Sequence, residues 1–426
     1  MIPADIISKK RDGRALSKNE LNYFIKEYLS GSITDSQMSA LLMAIYFKGM
    51  SDRETFVLLD VMLQSGSILN FENSKEYIAD KHSTGGIGDK VSLILAPLMA
   101  AGGLKIPMIA GRGLGFTGGT VDKIESIPNI NTNPSMEVFK DWIIKNRCAI
   151  VVQSNKIAPA DKKIYSLRNL TGTVPSLPLI CSSILSKKIA EGIQGLVMDI
   201  KIGNGAFLKT KKDAISLGRL ITNIGTFYDI KTNIVFSSMD QPLGRFAGLA
   251  CEVTEALECL NGNGPNDTMR ITFELGSHLF LQAGIVNDKN AALKKMQALI
   301  DSKKALKYFK SMVKLQGGQL DDFKNITKPK YEQLVHSNKS GIINFMDTEK
   351  IGWALLDLGC GYKKPDDKLD YTAGIEFYKK VGDEVKYNDP LYRVFNSDLI
   401  RLEKVSQLLL DTFNIGNKGK PLELIL

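Results

Sequence analysis

The chain has 426 residues, 44% hydrophobic and 24% charged, with 55 Lys and Arg against 46 Asp and Glu for a net charge of +9. Such a length and near-average composition exclude a disordered or fibrous chain and leave room for two or three domains, each with its own core. The lysines are dispersed in pairs such as Lys9-Lys10, Lys187-Lys188 and Lys363-Lys364, interrupted by acids. That dispersal argues against a nucleic-acid partner and for anionic small substrates. Five cysteines (Cys148, Cys181, Cys251, Cys259, Cys360) show no CxxC spacing, so reduced thiols are expected rather than disulfides or zinc. The N-terminus lacks a signal-peptide core, and apolar runs such as 93–101 are too short to span a bilayer. The expectation is a soluble, cytoplasmic protein with no membrane partner.

Residues 1–66 predict three helices, each opened by a capping box: Ser17 with Glu20, Thr34 with Gln37, Ser51 with Glu54. Gly31, Gly49 and Gly66 stand where left-handed C-terminal caps are expected. From about residue 75, short β-branched runs alternate with helical ones. Strands are expected at 77–80, 106–110, 149–153, 195–202 and 233–238, and helices at 91–101, 120–126, 135–146, 212–226 and 248–261. This alternation predicts a mainly parallel sheet flanked by helices, with ligand loops at the carboxyl ends of the strands.

Residues 160–191 interrupt the scheme with further helix, including 177–191, expected to cross back onto the N-terminal helices. Pro159, Gly192 and Gly195 are natural hinge points. Beyond about 345, strand-like alternation over 371–395 resembles the hairpins of biotinyl- and lipoyl-type barrels, without their modifiable Met-Lys-Met. The expected fold is α/β in three parts. A small all-helical domain uses 1–66 and 160–192, and a large α/β domain uses 75–155 and 195–340. A C-terminal α+β unit, 345–426, carries a barrel-like hairpin region.

Three constellations carry chemistry. The loop from Asp80 to Ser92 holds three glycines, Lys81, Lys90, Ser83, Thr84 and His82, and leads into a helix. Glycines let backbone N–H groups converge, and the helix start adds its positive end, so the loop can hold a phosphate-like dianion. A nearby anion would raise the pKa of His82 and keep it a proton donor. A second glycine-rich loop, Ala110 to Asp122, leaves another strand and ends at a helix start beside Thr120. Third, Ser183 and Lys187 lie four apart on one helical face, with Arg168 upstream. The remaining singular residues read as structural: Trp142 and Trp353 in helical cores, His278 in an apolar helix, His336 in a polar loop.

The segments D-K-H-S-T-G-G-x-G-D, G-R-G-L-G-x-T-G-G-T-x-D-K-x-E-S and S-x-x-x-K-K-x-A-E-G, in this order, resemble thymidine and pyrimidine-nucleoside phosphorylases. VMDIKIGNGAF and SSMDQPLG extend the resemblance, which covers nearly the whole chain. It implies a homodimer assembled through helical domains, phosphate on the α/β domain, the base on the helical domain, and closure between them. By that resemblance Lys81, Ser83, Ser92 and Thr120 bind phosphate. His82, Arg168, Ser183 and Lys187 bind the pyrimidine, with His82, Arg168 and Lys187 catalytic. Inorganic phosphate is a co-substrate, and no organic cofactor or metal is expected.

Two residues depart from the pattern. Ala110 stands where the family usually has a serine touching phosphate, and Phe116 replaces a histidine. Phe116 would make the sugar or base side of the cleft more apolar. Broad-specificity members resemble PKMSGRG and thymidine phosphorylases PMISGRG; Pro107-Met108-Ile109-Ala110 sits closer to the second, which points to deoxyribosides, while Ala110 and Phe116 leave a broad enzyme that also uses uridine as the alternative. Broad-specificity members also hold a monovalent cation near the positions of Gly88 and Glu255, a site not carried over. An anthranilate-type phosphoribosyltransferase is disfavoured because Met198-Asp-Ile-Lys201 lacks the Asp-Glu pair that Mg²⁺ would need. A non-catalytic nucleic-acid- or nucleotide-binding protein has only the net charge behind it.

Overall fold

The computed structural model describes residues 1–71, 74–154, 156–364 and 367–426. Residue 155, the expected end of the first α/β segment, lies outside them.

The N-terminal unit has four helices, α1 (Pro3–Arg11), α2 (Lys18–Ser30), α3 (Asp35–Lys48) and α4 (Asp52–Gln64). All three capping boxes form, with Ser17, Thr34 and Ser51 each bonded to the third residue of its helix. The unexpected α1 opens with proline at its first position, where the missing N–H costs nothing. Of the three glycines, Gly31 alone takes the left-handed cap (φ 91°, ψ 0°). Gly49 pairs a positive φ with an extended ψ, and α4 ends in right-handed Ser65 before Gly66.

Five parallel strands follow: β1 (Ala79–Ser83), β2 (Ile106–Ala110), β3 (Cys148–Val152), β4 (Gly195–Ile202) and β5 (Lys231–Ser238). They form ladders β1-β4-β5 and β2-β3, joined edge to edge by a parallel bridge between Ile78 and Lys105. Central β4 is buried along its whole length, as a strand covered by helices on both faces must be, and its two charged residues, Asp199 and Lys201, pair with each other at 2.7 Å. Helices α5 (Val91–Gly102), α6 (Thr120–Ile124) and α7 (Met136–Asn146) connect the first strands.

Helices α8 (Pro159–Thr171) and α9 (Leu177–Ala190) pack on the N-terminal unit. Ala160, Ile164, Leu167 and Leu179 share a core with Phe24, Leu41 and Met62. The opposite face of α9 (Ile180, Ile184, Leu185, Ile189) joins Leu196 and Met198 of β4 in a second core. Helix α9 therefore belongs to both layers.

Helix α10 (Lys211–Phe227) links β4 to β5; after β5 come β6 (Phe246–Gly248) and α11 (Ala250–Leu260), then further helices through Leu315. The last part forms two antiparallel sheets. Strand β6 pairs with Gly374–Phe377, which pairs with Pro390–Asn396 and through it with Tyr331–His336. Glu384–Val385 and Phe413–Gly416 instead flank Gly341–Met346. The expected barrel-like region is thus split between two open sheets, with no closed barrel among the described residues. The two-residue strand 384–385 is too short to bridge them. His336 ends a strand rather than lying in a loop. Trp142 is core, whereas Trp353 is 48% exposed.

Candidate active site

Strand β1 runs three residues further than expected, into the motif itself, and pairs in register with β4 from Ala79–Gly195 to Ser83–Asp199. Alternation along a strand then sorts its side chains onto two faces. Lys81 reaches Ser92 in the first turn of α5 (Nζ to Oγ, 3.3 Å) and faces Asp89 at 3.8 Å. On the other face Asp80 receives Lys188 of α9. Lys188 also donates to Glu191 (2.7 Å) and to the carbonyl of Ile109 on β2 (3.1 Å). One buried ammonium thereby ties β1, β2 and α9 together behind His82.

The turn after β1 needs glycine for two reasons. Gly85 and Gly88 have φ of 91° and 73°, and a Cβ on Gly88 would stand 2.3 Å from the carbonyl oxygen of Leu243. Lys90 leaves the anion cradle to which it was assigned. Its Nζ is fully buried against Glu255 (2.5 Å) and donates to the carbonyls of Leu243 (3.0 Å) and Phe246 (2.9 Å). The Lys90 ammonium fills the cage that these oxygens form beside Gly88.

The second loop folds on itself. Asp122 accepts from the Gly113 N–H (2.6 Å) and from Arg112 (2.9 Å), and a Cβ on Gly119 would lie 2.2 Å from the Gly113 nitrogen. The loop also touches α8: the Gly115 N–H donates to Asn169 (2.8 Å), and Tyr165 donates to the Arg112 carbonyl (3.3 Å). Phe116 does not line the cleft. It packs against Phe207 (5.3 Å) and Trp353 (5.7 Å) between ring centroids, so it backs Phe207, which does line it.

On α8 and α9 the third constellation is buried, not solvated. Arg168 donates to the carbonyls of Val174 (2.7 Å) and Leu179 (3.1 Å), leaving its Nε without a protein partner. Lys187 donates to Asp161 (2.6 Å) and to the Ser183 hydroxyl (2.9 Å), beneath the Tyr165 ring at 5.5 Å.

Electrostatics follow from this burial. Burial pushes the Arg168 guanidinium down to about 10 against the pull of Asp161. Burial likewise lowers Lys81 and Lys187, which Asp89 and Asp161 respectively only partly restore. Burial lifts the Asp89 carboxyl, but Lys81, Lys201, Lys123 and the Ser83 hydroxyl outweigh it and hold it well below the usual range. His82 is driven well below the usual imidazole value, by burial first and then by Lys188, Lys187 and Lys81. Asp89 pulls the other way and is outweighed, so the expected rise would have to come from a bound anion.

One cleft collects Lys81, His82, Ser83, Ser92 and Thr120 from the sheet layer with Arg168, Ser183 and Lys187 from the helical layer. Met108 and Ala110 lie in its wall. Sequence reasoning missed Asp89, Asp161, Tyr165 and Phe207. Asp161 had a usable signal: a lone acid in the first turn of a helix whose later turns carry the arginine.

Family models match in three segments: a glycosyl transferase family helical bundle domain over 4–66, its a/b domain over 75–306, and a pyrimidine nucleoside phosphorylase C-terminal domain over 342–416. A pyrimidine-nucleoside phosphorylase of Staphylococcus haemolyticus is 42% identical over 92% of both chains. One of Geobacillus stearothermophilus is 40% identical over 97% of this chain and 96% of its own. One of Bacillus subtilis is 39% identical over 99% and 98%. The anthranilate phosphoribosyltransferase of Thermus thermophilus shares the fold, with a TM-score of 0.58 at 15% identity over 74% of this chain and all of that one. The chain belongs to the pyrimidine-nucleoside phosphorylase family of glycosyl transferases.

Proposed function

We propose that the chain catalyses reversible phosphorolysis of pyrimidine nucleosides, with thymidine preferred: thymidine and phosphate give thymine and 2-deoxy-α-D-ribose 1-phosphate. The observation that carries this reading is the meeting of Lys81, Ser92 and Thr120 with Arg168, Ser183 and Lys187 in one cleft. A phosphate oxygen held by the first group bonds to C1′ as the C1′–N1 bond breaks, and the electron pair leaves with the base. Fixing nucleophile and sugar in line supplies much of the rate. The departing base spreads negative charge over its ring oxygens and nitrogens, which the buried Arg168 and Lys187 stabilise in a low-dielectric site. The unpartnered Nε of Arg168 is a donor with capacity to spare.

In this reading His82 works chiefly as a neutral hydrogen-bond donor to the leaving base, since burial and then the surrounding lysines disfavour its charged form. Phosphate arriving at Lys81 shifts it in the opposite direction. Met108 in the cleft wall, where broad-specificity members carry lysine, supports the deoxyriboside preference. The relatives' name supports a second reading in which uridine is also used. A homodimer belongs to the same proposal, supported by the exposed Tyr46 and Phe47 of the helical unit, and sedimentation tests it.

The test incubates thymidine, deoxyuridine and uridine with and without phosphate. Base release that ignores phosphate sinks the proposal. Arg168→Ala and Lys187→Ala should each suppress turnover in protein that remains folded, and unchanged activity would place the base elsewhere.

A further inference from the structure

The cage around Lys90 is complete. Its Nζ meets three oxygens, from Leu243, Phe246 and Glu255, at 2.5–3.0 Å. Backbone closes in from two sides: a Cβ on Gly244 would stand 2.5 Å from Nζ, and one on Gly88 would strike the Leu243 carbonyl. The Glu255 carboxylate is saturated as well, accepting the N–H groups of Arg245 (2.6 Å) and Phe246 (3.1 Å). Burial disfavours the Lys90 charge, but Glu255 and Glu252 outweigh it, so the ammonium persists. One turn earlier on α11, Glu252 pairs with Lys123 (2.7 Å), whose Nζ donates to the Asp89 carbonyl (2.8 Å). Two buried lysines thus pin residues 88–90 to α11, and residue 89 is the acid facing Lys81.

An ammonium ion and a potassium ion carry the same charge and are similar in size, and carbonyl and carboxylate oxygens are the ligands that hard cations prefer. A second cation in this cage would meet Lys90 at contact distance with no free oxygen to hold it. We propose that the Lys90 ammonium is a built-in substitute for a monovalent metal ion, a positioning residue that holds the phosphate-side loop on α11, so that this chain works without such an ion. The inference deepens the proposed phosphorolysis and rests on it for its kinetic readout.

The test uses the full chain, with thymidine and inorganic phosphate supplied as its choline salt, in choline, sodium or potassium chloride at matched ionic strength. Wild type should show the same kcat/KM for phosphate within about twofold in all three. Lys90→Thr empties the cage of charge and should lose on the order of a hundredfold in choline, mainly in phosphate KM rather than nucleoside KM. Potassium should restore it saturably and raise its melting temperature in parallel. Lys90→Met, which fills the cage without charge, should lose as much and recover nothing. A wild type that needs potassium, or a Lys90→Thr variant as active in choline as wild type, overturns the inference. If Lys90→Thr folds in no salt, the salt response of wild-type activity and melting decides alone. No phosphorolysis by wild type in any salt would sink the proposed reaction, while the melting responses would still decide on Lys90.

Discussion

Asp161 in the first turn of α8 holds the ammonium of Lys187 on α9 at 2.6 Å, both side chains being within 2% of fully buried. Burial alone drives Lys187 toward its neutral form, and Asp161 is the first group opposing that. The charge proposed to meet the leaving base is therefore maintained by a residue on the neighbouring helix.

Asp161→Asn keeps the shape and removes that support. Turnover should fall on the order of a hundredfold. The loss should deepen as pH rises, because Lys187 then deprotonates earlier than in wild type. A pH–rate profile of both proteins checks this; parallel profiles would mean Asp161 does not sustain the charge. Stability should drop by about 3 kcal/mol, read by denaturant titration.

His82 gives a pH signature of its own. Its folded pKa is lowered, so below about 6.5 the unfolded chain binds a proton that the folded chain resists. That contribution to stability is full above the unfolded pKa and is lost as pH falls. Between pH 7 and 5, His82→Asn should lose less melting temperature than wild type. Equal losses would show that imidazole to be unperturbed.

Ala110 lines the cleft without a hydroxyl. Ala110→Ser should supply one neutral hydrogen bond, about 1 kcal/mol, lowering phosphate KM about fivefold with kcat nearly unchanged. Initial-rate kinetics at varied phosphate measure it, and an unchanged KM would put phosphate out of reach of residue 110.

Phe116→Ala tests a residue beside the site rather than in it. Removing a ring 6% exposed and packed on Phe207 and Trp353 should cost about 3 kcal/mol of stability. Nucleoside KM should change little in comparison. A large selective rise in nucleoside KM would return Phe116 to the cleft.

The parallel strands were legible because their β-branched runs are bounded by glycine or polar turns; 106–110 and 195–202 match their observed ends. Helix α1 was not, since nine residues opening on proline present too short a periodic face to register. The glycine loops and the Arg168–Ser183–Lys187 set announced themselves through composition and spacing. Lys90 did not, because a lysine in an anion loop and a lysine turned into a carbonyl cage look the same in sequence. The difference depends on Glu255 and on two carbonyls more than 150 residues downstream. Trp353 misled for a similar reason: helical periodicity marks a face, and only tertiary packing decides that Phe116 and solvent share it.

Helix α9 sends Lys187 to Asp161 in the helical layer and the very next residue, Lys188, to Asp80 in the sheet. Neighbours on a helix point about 100° apart, so a single residue step divides the two attachments. Slipping α9 by one residue would hand one carboxylate the wrong lysine and leave the other facing Ser186 or Ile189, breaking both pairs at once. The helix thus works as an indexing pin: its rotational setting, more than its position, keeps the two halves of the cleft in register. A one-residue deletion between Ser176 and Ser183 should abolish function more thoroughly than any single substitution in the cleft.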